Sequence, residues 1–298
     1  MSKMIEGVWE LGWEPTDKEK NGRFVRKESV FRDQLPEGPI EAGRYHLYVT
    51  WTCPWAHRTL LTRSLKGLQR LIPVHFCNTL SDKSWRFTDS EDGLYGADHL
   101  YEIYLRADPK YTGRVTVPVL WDSVEETIVN NESSEIIRML DAVPSEAPRL
   151  APAEWLEAID AVGDRIYNTL NNGVYRTGFA RTQDAYDEAV REVFATLDAM
   201  ERHLEGRDWL VGDRLTEADI RLFVTLMRFD AAYYTLFKCN LRRIADYPNL
   251  QGHLTRVYHH PGVAETCNID AMRHGYASIR AINPYQIVPA GPPLTFMG

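Results

Sequence analysis

An α/β domain followed by an all-helical domain is the fold class this sequence predicts, and three observations carry it. Two apolar runs, RYHLYV at 44–49 and LIPVHFC at 71–77, flank a segment with helical spacing, the pattern of two parallel strands joined by a crossover helix. A second pair of runs, VTVPVLWD at 115–122 and TIVN at 127–130, leads straight into NESSEIIRMLD, a hairpin followed by a helix. Beyond the proline-rich AVPSEAPRLAP every periodic segment is helical. That stretch, 142–152, is the expected linker between domains spanning 44–141 and 153–283.

Taken in order, residues 1–43 are polar, dotted with aromatics and weakly periodic. They read as an extended arm wrapping the first domain, with a hairpin around Phe24–Phe31. The first strand ends in YVTWTCPWAHR, where Cys53 is followed at once by Pro54. Proline is tolerated at the first helical position because its missing N–H had no partner there. Cys53 is therefore placed at a helix N-cap, facing free N–H groups whose partial positive charge favours a thiolate, the nucleophilic form of cysteine. Asn78–Gly113 breaks the pattern and reads as a long loop with turn material in TDSEDG and GADH. Within it, Trp85 is either a hydrophobic anchor or a stacking surface for a ligand. Val117-Pro118, at the entrance of the next strand, is a candidate cis bond. Such a bond would leave the Val117 backbone able to pair with a peptide-like ligand. Glu132, Ser133 and Ser134 crowd the first turn of the following helix as caps, and free N–H groups at such an end also suit a carboxylate.

The second domain is predicted to carry helices over 154–170, 185–204 and 216–237, with shorter ones after Pro248. Thr216 and Asp219 form a capping box before IRLFVTLMRF and read as structural. The tail, 284–298, is extended and proline-rich.

Composition excludes several classes. The chain has 298 residues, 44% of them apolar and 26% charged, which is ordinary for a globular protein with room for two cores. A net charge of −8, with no long Lys/Arg run, argues against a nucleic-acid surface. MSKMIEGVWE lacks the apolar core of a signal peptide, and no stretch approaches the ~20 apolar residues of a membrane span. A cytoplasmic protein without membrane association is expected. The four cysteines, Cys53, Cys77, Cys239 and Cys267, are widely and irregularly spaced and contain no C-x-x-C pair, so no disulfide framework is predicted. Cys53 and His57 lack a second ligand pair, so no metal is expected. In a reducing setting a lone activated cysteine points to catalysis or redox chemistry. Eight tryptophans and fifteen tyrosines suit a protein that grips flat or extended small molecules.

The order βαβ then ββα, with cysteine after the first strand and proline before the third, is the thioredoxin-like arrangement. Joined to an all-helical second domain, it resembles a glutathione transferase. CPWAHR at 53–58, VTVPVLWD at 115–122, TIVNNESSEIIRM at 127–139, NNGVY at 171–175, LTEADIRLF at 215–223 and RFD at 228–230 narrow the resemblance to the Xi class, the glutathionyl-hydroquinone reductases. FKCN at 237–240 and HGYASIRAINP at 274–284 fit the same family.

The resemblance implies a glutathione-dependent oxidoreductase that reduces glutathionyl-hydroquinones to hydroquinones, with glutathione as co-substrate. Cys53 would take the glutathionyl sulfur as a mixed disulfide, and a second glutathione would release oxidised glutathione. It further implies that Val117 backbone groups pair with the tripeptide and that Glu132 and Ser133 hold its γ-glutamyl end. Trp85 would cover it, and Arg114 would meet its glycyl carboxylate. Tyr175 and Tyr276 would stand near the quinol oxygen, with Ala277 replacing a family aromatic. A homodimer is implied as well. Independently of the family, Ala56 stands where a dithiol oxidoreductase carries its resolving cysteine, so an external thiol is required. An omega-like thiol transferase or dehydroascorbate reductase uses the same nucleophile and is the alternative enzyme. A non-catalytic binding module has no need to keep Cys53, Pro118 and the Glu132-Ser133 pair together.

Overall fold

A computed structural model describes residues 3–10, 21–25, 28–81, 84–87 and 92–298, the side chains of 78–81 excepted. The chain divides into two units. Residues 3–10 and 28–148 belong to the first, 21–25 and 149–298 to the second, so the N-terminal arm contributes to both. The hairpin expected around Phe24–Phe31 falls partly on residues outside those described. A short hairpin does occur earlier, where β1 (Lys3–Ile5) pairs with β2 (Val8–Glu10).

The first unit is built on a five-stranded sheet: β3 (Tyr45–Val49), β4 (Val74–Ser81), β5 (Ser84–Phe87), β6 (Val119–Asp122) and β7 (Thr127–Asn130), in the spatial order β5-β4-β3-β6-β7. β3 and β4 run parallel, with Tyr48 opposite His75, while β6 and β7 pair antiparallel. Every residue of the central strand β3 is buried, as a strand covered on both faces requires. Leu47 and Val49 are wholly removed from water, each contributing about 1.5–3 kcal/mol of hydrophobic stabilisation.

From β3 the chain enters α1 (Pro54–Leu65) with proline in its first turn. The far end of α1 is held by a buried ammonium. Lys66 lies 3.5 Å from the Asp141 carboxylate, and donates to the carbonyls of Ala147 and Pro148. Asp141 belongs to α3 (Ser133–Ala142), which packs beside α1.

The stretch 78–113 is not one loop. β4 continues to Ser81, β5 turns back along it, and α2 (Leu100–Ala107) follows. The strand was hidden because its polar half, NTLS, follows the apolar run. The helix signal was present: Leu100, Ile103 and Tyr104 sit at helical spacing and are buried, behind a reciprocal His99–Glu102 cap. The Val117-Pro118 bond is cis, and β6 starts only after it.

In the second unit a short turn, Ala153–Trp155, opens α4 (Leu156–Arg165). The expected single helix then widens into a π-helical turn, Ile166–Asn171, before α5 (Gly173–Gly178). α6 (Gln183–His203) and α7 (Glu217–Arg228) follow. A second π-helical turn, Phe229–Tyr233, continues α7. α8 (Pro248–Tyr258) and α9 (Ile269–Ala277) complete the unit. All of α7 is buried, so its cap must be satisfied internally. Asp219 does this. One carboxylate oxygen takes the Thr216 N–H and hydroxyl at 2.8 and 2.9 Å, the other the Leu210 N–H and His253 Nε2 at 2.9 Å. The capping box is structural, as read from the sequence. Among the described residues no helix is long and apolar enough to cross a membrane.

Candidate active site

The first unit holds a thiol centre. Cys53 occupies the N-cap of α1 in extended conformation (φ −79°, ψ 120°), and its carbonyl accepts the His57 N–H at 3.0 Å. Its half-buried sulfur lies 3.6 Å from the Val117 carbonyl. The fold thus brings together two positions 64 residues apart. Ala56, one helical turn on, is fully buried and carries no thiol. The remaining cysteines are unsuited to nucleophilic work. Burial pushes the Cys77 and Cys239 thiols far up, and that of Cys267 up to about 11, so their thiolates are scarce at neutral pH.

Glu132 and Ser133 sit where β7 passes into α3. Glu132 is the N-cap, its carboxylate accepting the Ser134 N–H at 3.1 Å and the Ser29 hydroxyl at 3.2 Å. Arg114 precedes the cis bond by three residues, and its carbonyl accepts the Tyr111 hydroxyl at 2.8 Å. Trp85 lies on β5 and packs, half-buried, against the core of the first unit.

The second unit holds a tyrosine cluster. Tyr175, on α5, and Tyr276, on α9, have hydroxyls 2.9 Å apart. The structure adds a third that sequence reasoning missed: the Tyr233 hydroxyl lies 2.9 Å from that of Tyr276. Tyr233 and Tyr276 are 0% and 1% exposed, whereas Tyr175 is half-buried. Of the three, Tyr175 alone keeps contact with solvent. Burial drives the Tyr233 and Tyr276 phenols well above their ordinary range, opposed in part by the Arg228 guanidinium. Both are therefore protonated, and the line of hydroxyls can pass hydrogen-bond donation from Tyr233 through Tyr276 to Tyr175.

Aromatic packing fixes the cluster. Phe237 meets Tyr175 edge-on at 5.3 Å and stacks on Tyr233 at 5.0 Å. This approach needs Gly178, where an added Cβ would fall 2.4 Å from the Phe237 ring. Tyr233 left no local signature, because it stands in AAYYTLF beside Tyr234. The π-helical turn shifts the helical phase so that Tyr233 is buried while Tyr234 remains partly exposed. Among the described residues no group of three or more His, Cys, Asp or Glu is arranged to hold a metal ion.

A thioredoxin-like unit with a cysteine at a helix N-terminus and a cis proline beside it, followed by a helical unit, defines a glutathione transferase. Residues 52–143 match the family profile "Glutathione S-transferase, N-terminal domain", and residues 183–256 match "Glutathione S-transferase, C-terminal domain". Relatives narrow the class. A glutathionyl-hydroquinone reductase of Sphingobium chlorophenolicum is 54% identical, the match covering 98% of this chain and 96% of that one. The glutathione-bound structure of a glutathione transferase homologue from Escherichia coli K-12 superposes with a TM-score of 0.88 at 43% identity, covering 99% and 96% of the two chains. A Xi-class glutathione transferase from Natrialba magadii gives a TM-score of 0.90 at 41% identity, covering 100% and 95%. The chain belongs to the Xi class of glutathione transferases, the glutathionyl-hydroquinone reductase family.

Proposed function

We propose that this protein reduces glutathionyl-hydroquinones to hydroquinones at the expense of glutathione. The observation that carries this reading over a plain thiol transferase is the hydrogen-bonded Tyr175–Tyr276–Tyr233 cluster. Exchange between thiols and small disulfides expels a thiolate, which needs no acid. Expelling an aromatic carbon does.

In the proposed cycle the Cys53 thiolate attacks the sulfur of the glutathionyl group. The sulfur–carbon bond to the ring breaks, its electron pair passes to the ring carbon, and that carbon takes up a proton. Tyr175, backed by the two buried hydroxyls, donates a hydrogen bond to the quinol oxygen as charge builds on the ring. Free hydroquinone leaves, and Cys53 remains joined to glutathione. With alanine at position 56, no internal thiol stands one turn away to resolve this disulfide. A second glutathione thiolate attacks the bound glutathione sulfur, giving oxidised glutathione and the Cys53 thiolate.

The tripeptide is assigned to the first unit. Its cysteinyl peptide group pairs with the Val117 backbone, and its γ-glutamyl carboxylate meets the N–H groups and hydroxyl at Ser133. Its amine meets the Glu132 carboxylate, its glycyl carboxylate meets Arg114, and Trp85 presents its ring to it. We further propose a cytoplasmic homodimer, which light scattering tests.

The deciding experiment uses one equivalent of glutathionyl-hydroquinone and no free glutathione. At most one hydroquinone per subunit is expected, with one glutathione adduct on the Cys53 peptide by intact and peptide mass. Ala56→Cys supplies a resolving thiol and is expected to convert the adduct into an internal disulfide. Repeated turnover of the wild type without free thiol, or an adduct on another cysteine, rejects the mechanism.

A further inference from the structure

We infer that Phe24, from the N-terminal arm, is a specificity-determining residue that forms a wall for the substrate's aromatic ring; this rests on the function proposed above. The arm is fastened to the second unit just beyond the end of α5, at Arg181, Thr182 and Glu188. The Gly22 carbonyl accepts the Arg181 N–H at 3.0 Å. Gly22 itself has φ +77°, and a Cβ there would lie 2.7 Å from the Thr182 side chain and 3.1 Å from its backbone nitrogen, so this position takes glycine. Arg23 donates twice to one oxygen of Glu188, at 2.6 and 3.2 Å. These contacts leave Phe24 stacked on Phe179 at 5.6 Å, with 29° between the rings, and 6.4 Å from Tyr175 at 31°. Tyr175 and Phe179 are themselves 10° from parallel.

Phe24 therefore extends a set of near-parallel rings next to the one tyrosine of the cluster that is not fully buried. Phe24, Tyr175 and Phe179 are all half-buried, whereas Phe237 behind them is fully buried. A flat ring whose oxygen meets the Tyr175 hydroxyl would find the face of Phe24 beside it, and a fused bicyclic ring would cover more of that face than a single ring. No signal in the local sequence assigns this role, because Phe24 lies about 150 residues before the helices it packs on.

The test measures binding in a Cys53→Ser background, where the conjugate is held without being cleaved. The probes are glutathionyl-menadiol, glutathionyl-benzohydroquinone and glutathione alone. Phe24→Leu, which keeps apolar volume but removes the ring, is expected to weaken glutathionyl-menadiol binding about three- to tenfold. The single-ring conjugate should weaken less and glutathione by under about twofold, with Phe24→Tyr restoring the wild-type values. Unchanged affinity for both conjugates in Phe24→Leu overturns the inference, as does an equal loss for glutathione alone. Turnover by the wild type is scored separately. An enzyme that binds the conjugates in a Phe24-dependent way but does not reduce them rejects the proposed reaction and leaves the wall standing.

Discussion

In the first unit the chemistry rests on backbone: Cys53 caps a helix, and the carbonyl of Val117 stands 3.6 Å from its sulfur. In the second it rests on side chains, three phenols from three helical segments whose oxygens sit at 2.9 Å steps. A backbone-built centre tolerates change around it, because helix N–H groups and carbonyls persist whatever the neighbouring side chains are. A side-chain centre is only as good as the packing that holds each hydroxyl, and it fails in steps as members are removed. The two also differ in what they contribute to the proposed cycle. The thiol enters both half-reactions, the tyrosines only the first.

The largest expected effect separates the two centres outright. Cys53→Ala should lower reductase turnover by at least about a thousandfold, since no other nucleophile remains. Thermal stability and glutathione affinity should stay near wild type, because a half-exposed cap thiol contributes little packing. Replacing Cys77, Cys239 or Cys267 by alanine should leave the mechanism intact, and alkylation near neutral pH should mark Cys53 first. Rapid alkylation of Cys267, whose thiol burial pushes up to about 11, would blur the distinction between one reactive thiol and three inert ones.

Next in size is Tyr175→Phe, expected to slow the first half-reaction by about ten- to a thousandfold. Resolution of a preformed Cys53–glutathione disulfide should proceed as in wild type. Equal damage to both half-reactions would turn Tyr175 into a packing residue.

A smaller effect sharpens the idea that the phenols act in line. Tyr233→Phe removes one oxygen from a site with no exposure and should slow the first half-reaction by about three- to thirtyfold, the scale of one lost buried hydrogen bond. In a Tyr175→Phe background the same substitution should cost little more, since its hydroxyl would act through Tyr175. Effects that multiply would mean that the phenols act independently.

The smallest effect concerns the first unit alone. His46 and His75 lie 2.9 Å apart on neighbouring strands, and Tyr48 stacks on His75 at 4.9 Å. Burial holds both imidazoles below their ordinary value, with the His46 charge adding to the depression at His75. The fold therefore favours the neutral rings. Their contribution is fully present above the unfolded pKa of about 6.5 and is lost as pH falls through the lower folded values. Chemical denaturation at pH 7.5 and pH 5.5 should show a smaller acid loss for His75→Asn than for wild type, the difference bounded by about 1.4 kcal/mol per pH unit. An unchanged slope would mean that the pair titrates as it does unfolded.

Legibility in the sequence followed the same division. Strand, cysteine, proline and helix are consecutive in YVTWTCPWAHR, so the thiol centre could be placed from local rules: a strand's apolar run, a first-turn proline, a cap. The Thr216–Asp219 box, three residues apart, was equally readable. Short-range physics determines such features, because the groups that interact are neighbours in the chain. Folding in space decided the rest. The polar half of β4 is a strand only because β5 pairs with it, and the Val117 carbonyl meets Cys53 only when β6 docks beside β3. Tyr233 faces inward rather than Tyr234 because the π-helical turn Phe229–Tyr233, continuing the fully buried α7, sets the phase. Phe24 reaches Phe179 because Gly22 lets the arm lie against Thr182. Contacts of this kind join residues tens to more than a hundred positions apart, and their geometry exists only once the intervening chain is packed.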